Sequence, residues 1–221
     1  VWKDFTITHT KEMHVIVVRK DLVNFQHVHP TFNTETGLFT VNDLTFGAEG
    51  EYRIFADFAP EGGMMDSGGM PLAVTISEDI KVGDDYDREQ LGSEENKKSF
   101  GGIEFTLTPT PIPLMAGQET MLTFNLRRNG QPTTDMEKYL GAFGHSIVLR
   151  EGSLDFIHVH PVERITPHGT LEFMVAFPQK GEYKIFTQFK RGGEVITTDF
   201  VVSVAEGSGE PITSGMDHSM Q

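Results

Sequence analysis

Apolar and polar positions alternate along this chain with a period of two. Tyr52, Ile54 and Ala56 alternate with Arg53, Phe55 and Asp57, and Leu122, Phe124 and Leu126 alternate with Thr123, Asn125 and Arg127. Val15-Ile16-Val17-Val18 is a run dominated by β-branched residues. A period of two puts successive side chains on opposite faces of a strand. Turn signals punctuate the runs at Glu61-Gly62-Gly63, Arg128-Asn129-Gly130 and Arg191-Gly192-Gly193. No segment carries a 3.6-residue apolar stripe, so the pattern predicts an all-β protein.

The pattern also repeats. Residues 14–30 read HVIVVRKDLVNFQHVHP and residues 145–161 read HSIVLREGSLDFIHVHP, without a gap. The same offset aligns GEYRIFADF at 50–58 with GEYKIFTQF at 181–189. The chain therefore reads as a duplicated domain. Gly50-Glu51-Tyr52 and Gly181-Glu182-Tyr183 suggest the tyrosine corner of immunoglobulin-like sandwiches. The expected architecture is two tandem immunoglobulin-like β-sandwich domains. Residues 1–80 form the first copy, 81–100 an acidic linker or loop, 101–205 the second copy, and 206–221 a flexible His/Met tail. Copy 2 has strand-like segments at 103–108 and 119–127 ahead of its matched region, with no counterpart in copy 1. The first sandwich is thus expected to lack its N-terminal strand or strands, with Val1 opening a processed or truncated product. A sheet edge left open in this way offers a route to a homo-oligomer by strand donation.

Composition narrows the chemistry. The formal net charge over 221 residues is −14, which opposes binding to nucleic acid phosphates and favours cations. With no cysteine, thiolate catalysis, Cys-based zinc or iron–sulfur sites and blue-copper centres are excluded. No apolar stretch reaches the roughly 18 residues of a helical membrane span. The 17 phenylalanines supply material for a core.

The candidate chemistry lies in the repeated His-x-His-Pro. Residues i and i+2 of a strand share a face, so His27 and His29 can approach one metal ion, as can His158 and His160. His14 and His145 add a third imidazole to each copy from a neighbouring strand. Imidazole suits copper, zinc and other divalent metals. Copy 1 is better furnished. It has His9 and Met13 where copy 2 has Leu140 and Gly144, and Asp57 where copy 2 has Gln188. Its GGMMDSGGMP loop offers Met64, Met65 and Met70, thioethers that favour Cu(I). Met216, His218 and Met220 form a third cluster in the tail. The alternative for each trio is a set of hydrogen-bonded structural histidines.

The pair of motifs MHVIVVRKDLVNFQHVHP and GEYRIFADF resembles a group of bacterial secreted or periplasmic domains found with copper- and heavy-metal-handling genes. The resemblance implies an exported, immunoglobulin-like domain with a copper-related role. The tail MDHSM is similar to the Met/Asp/His repeats of periplasmic copper-resistance proteins. The expected function is extracytoplasmic binding of Cu(I) or Cu(II), with zinc or another divalent metal as alternatives, for sequestration or delivery. A second reading is a structural subunit of an extracellular filament or surface assembly. No nucleophile–base order, phosphate loop or carboxylate pair points to an enzyme.

Overall fold

A computed structural model describes residues 4–65, 72–161 and 164–207, leaving out the side chains of His158, His160 and Pro161. These residues form an all-β protein without helices, divided into two compact units, residues 1–90 and 91–221. No helix among them is long and apolar enough to cross a membrane.

Unit 1 contains β1 (Phe5–Thr6), β2 (Met13–Arg19), β3 (Gln26–Val28), β4 (Thr31–Asn33), β5 (Leu38–Thr40), β6 (Gly50–Pro60) and β7 (Val74–Val82). Strands β1, β6, β2 and β3 pair in that order, β7 also pairs with β6, and β4–β5 forms a separate hairpin. The antiparallel register sets Val15 against Ala56 and Val17 against Ile54, so these four residues share one face, while Ile16 and Phe55 are paired and buried on the other. Val15, Val17 and Tyr52 are its buried centre, with Met13, Val28, Ile54, Ile80 and Val82 packed around them. The hairpin adds an aromatic group at one end, where Phe5 meets Phe32, Phe39 and Phe58 edge-on with ring centroids 4.9–5.7 Å apart.

Unit 2 contains β8 (Lys97–Phe100), β9 (Ile103–Thr110), β10 (Leu114–Met115), β11 (Glu119–Arg128), β12 (Gln131–Pro132), β13 (His145–Arg150), β14 (Phe156–Pro161), β15 (Thr170–Ala176), β16 (Gly181–Arg191) and β17 (Glu194–Ala205). The pairing path runs β10-β17-β16-β13-β14-β15-β11-β9-β8. β14 is the corner strand, paired with β13 through Phe156–Val159 and with β15 at His160 and Pro161. The path folds back on itself there. One core joins Phe105, Leu107, Phe124 and Phe173 from one side to Val148, Tyr183, Phe189 and Phe200 from the other. Phe124 makes edge-to-face contacts with Phe173, Phe189 and Phe200 at 5.4–5.8 Å. Burying each such ring contributes roughly 2–3 kcal/mol.

The two units share a local device. Tyr52 Oη donates to the Ala48 carbonyl and Tyr183 Oη to the Gln179 carbonyl, both at 2.7 Å. Each ties a fully buried tyrosine to the backbone four residues upstream, the bond that the Gly-x-Tyr pattern suggested.

They differ in what lies over the apolar face. In unit 2, β9 and β11 supply the second layer. Unit 1 has no strands matching them among its described residues, and on β7 Val74 and Ile76 remain 42% and 57% exposed. The segment expected to be an acidic linker or loop, residues 81–100, has strand at its two ends. β7 extends to Val82, and β8 covers Lys97–Phe100. Between them, residues 86–89 strap onto unit 1. Tyr86 lies over the Arg19 guanidinium, Glu89 accepts from it at 2.8 Å, and the Glu89 amide donates to Asp21. Arg19 is buried, so this charge cannot be solvated by bulk water. Asp21 and Glu89 compensate it.

Candidate metal centre

The face of β2 opposite Val15 and Val17 carries His14, Ile16 and Val18. β3 runs antiparallel beside it, with Ile16 across from His27 and Val15 across from Val28. One step further along the register sets His29 across from His14. The three histidines therefore converge from a cross-strand pair and its diagonal neighbour. His14 Nδ1 lies 3.1 Å from His27 Nε2 and 3.2 Å from His29 Nε2. One ligand nitrogen from each ring lies within 4.8 Å of the other two. His14 is buried, and His27 and His29 are half-buried.

The protonation pattern follows from His14's other nitrogen. Nε2 is 3.0 Å from the Thr8 carbonyl oxygen, which can only accept, so Nε2 carries the proton. In the neutral ring Nδ1 then holds a lone pair aimed at the other two rings. A hydrogen bond donated to a backbone carbonyl commonly fixes a metal-ligating histidine in this way. His29 is held down at about 4, first by burial and then by the charges of His14 and Lys11. It is neutral, and its lone pair available, at physiological pH. With metal–nitrogen bonds of about 2.0–2.1 Å, neighbouring ligand nitrogens stand roughly 2.9–3.4 Å apart. Two of the three edges already fall in that range. The three imidazoles can together hold a metal ion.

The other predicted donors are placed differently. Met13 precedes His14 on β2, so its side chain emerges on the apolar face and packs against the core of unit 1, away from the histidines. Its counterpart explains the sequence difference without ligation. A Cβ on Gly144 would come within 2.7 Å of Phe173 Cζ and 3.2 Å of Phe189 Cε1, because the second layer fills that space. Asp57 sits across from His14 on β6, and its Oδ1 accepts from Thr75 Oγ1 at 2.6 Å. Gln188, its counterpart, donates to Thr197 Oγ1 at 3.2 Å. Both residues tie the strand to a threonine on its next neighbour, and the Asp57 carboxylate is not part of the three-nitrogen cluster. Met64 and Met65 are exposed on the loop after β6. His9 lies beside His14, with ring centroids 5.9 Å apart.

In unit 2, His145 is buried at the start of β13, across from Gln188. The backbones of His158 and His160 lie on β14, but their side chains fall outside the described residues, as do Met70, Met216, His218 and Met220. The Thr8 carbonyl was missing from the sequence-based set, because a backbone acceptor leaves no mark on residue type.

The family model for a domain of unknown function, DUF8832, matches residues 2–67 and 98–206. The chain belongs to this family. The matches fall in both units and include His14, His27 and His29. No curated protein matches the chain.

Proposed function

We propose that this protein binds a metal ion, copper foremost, on His14 Nδ1, His27 Nε2 and His29 Nε2, and serves to sequester or deliver it outside the cytoplasm. The observation that carries this reading is the hydrogen bond from His14 Nε2 to the Thr8 carbonyl oxygen. With Nε2 donating there, the opposite nitrogen is left as an acceptor facing two further imidazoles. Copper is favoured because divalent copper stands at the top of the affinity order for nitrogen sites. The exposed Met64 and Met65 suit transient contact with Cu(I) at the surface. The chain's net charge of −14 raises the local concentration of any cation. The proposed role is binding rather than turnover.

Titration of metal-free protein with Cu(II), followed by removal of excess and elemental analysis, should give about one tightly held copper per chain from this site. The double variant His27→Ala/His29→Ala should lose it. Retention of copper at the same affinity in that variant would refute the assignment.

A further inference from the structure

We infer that His9 is a fourth ligand of this site, reaching it by rotation of its side chain when metal binds. The inference rests on the metal-binding reading above and concerns the coordination position that three imidazoles leave open.

His9 and Thr10 are the central residues of a two-residue turn. Thr8 N donates to Lys11 O at 2.9 Å and Lys11 N to Thr8 O at 3.0 Å. Both central residues have positive φ, 47° for His9 and 69° for Thr10. This is the geometry of a type I′ turn, which strongly prefers Asn-Gly or Gly-Gly. A β-branched residue at positive φ is an outlier. Unit 2 makes the same turn at Leu140-Gly141, with φ of 54° and 87° and the matching hydrogen bonds between Tyr139 and Ala142. The same backbone is thus made in one unit with a glycine and no imidazole, and in the other with an imidazole and no glycine.

The turn is also fastened to the site. Thr8, its first residue, supplies the carbonyl that holds His14. His9 therefore follows directly on the residue that is hydrogen-bonded to the cluster. Its ring centroid is 5.9 Å from that of His14, while the rings of His27 and His29 stand at 5.2 and 5.0 Å. His9 is under an ångström farther out than an established member of the trio. Its ring is nearly perpendicular to that of His14, at 73°. The inference requires that rotation about its side-chain bonds turn a ring nitrogen towards the ion. Edge-to-face packing alone would not require an imidazole, since unit 2 places Leu140 there.

The test is Cu(II) titration of the intact chain and of His9→Leu, read by electron paramagnetic resonance and by competition with a chelator of known affinity. Leucine is the residue unit 2 carries at this position and φ, so the turn is retained. His9→Asn, suited to positive φ, is the second variant should the first fold poorly by circular dichroism. The unaltered chain should show a four-nitrogen spectrum. The variant should show three nitrogens with oxygen in the fourth place, and affinity at least tenfold weaker. Identical spectra and affinities in the unaltered chain and the variant would overturn the role of His9 and leave the three-histidine site standing. An unaltered chain that binds no copper would overturn both.

Discussion

The two nitrogens of His14 have different partners, and that difference determines what the residue can do. Nε2 is committed to Thr8, and Nδ1 is left facing His27 and His29. Protonation of the cluster would place positive charge among three close rings in a largely buried setting. This is why His29 titrates only near 4. The sign of the linkage follows. A histidine whose folded pKa lies below the unfolded value of about 6.5 binds more protons when unfolded. Its contribution to stability is complete above pH 6.5 and is lost as pH falls towards 4. Urea unfolding of the metal-free protein at a series of pH values should show the midpoint declining through that window. His29→Asn should flatten the decline. His29 is only half-buried, so the effect is screened relative to a fully buried group. An equal slope in the variant would mean that other groups carry it.

Among the elements, the turn before β2 is where local preference and native geometry disagree. Thr10 at φ 69° is held by two backbone hydrogen bonds against its own steric preference. Replacing it with glycine, as unit 2 has at Gly141, removes a penalty of roughly 1–2 kcal/mol while adding some backbone freedom to the unfolded chain. Thr10→Gly should therefore stabilise the protein by about 1 kcal/mol, measured as a raised urea midpoint. Gly141→Thr should do the opposite. The strands behave more simply. Their faces were legible from alternation, and that same alternation excludes Met13 as a ligand, since it is the immediate neighbour of His14 on β2. Sequence proximity made Met13 look like an extra donor, but neighbouring strand residues cannot face the same ion. Asp57 is the subtler case. It is on the correct face, yet its oxygen is engaged with Thr75, a partner brought in by β7 from 18 residues away.

Across the whole chain, the units are unequally supported. Unit 2 closes a core between two layers, with Phe124 and Phe173 from one and Phe189 and Phe200 from the other. Phe124→Ala should cost about 3–5 kcal/mol by cavity formation and be read as a lower melting temperature. Unit 1 centres its apolar face on Val15, Val17 and Tyr52, and leaves Ile76 largely in water. Fewer buried apolar contacts mean a lower free energy of local opening. Amides of β6 and β7 should exchange with solvent faster than those of β16 and β17. Copper should slow exchange in β2 and β3, because a ligand that binds only the folded site stabilises it by mass action. Uniform protection in the two units, unchanged by copper, would contradict both the packing and the site.

The sequence by itself determined the all-β class, the internal repeat of its motifs, the strand faces and the His14, His27 and His29 trio. Each depends only on the period of two and on a repeat compared with itself, and these are local properties of the chain. Tertiary structure decided the rest. Among the described residues it brought three ring nitrogens together, because convergence depends on side-chain direction and on prior hydrogen bonds rather than on residue type. It identified the Thr8 carbonyl as the group that orients His14, although nothing in a threonine's identity signals it. It also put the two ends of the expected linker or loop into β7 and β8, with a strap over Arg19 between them. A buried guanidinium needs carboxylate partners, and the chain folds back to provide them.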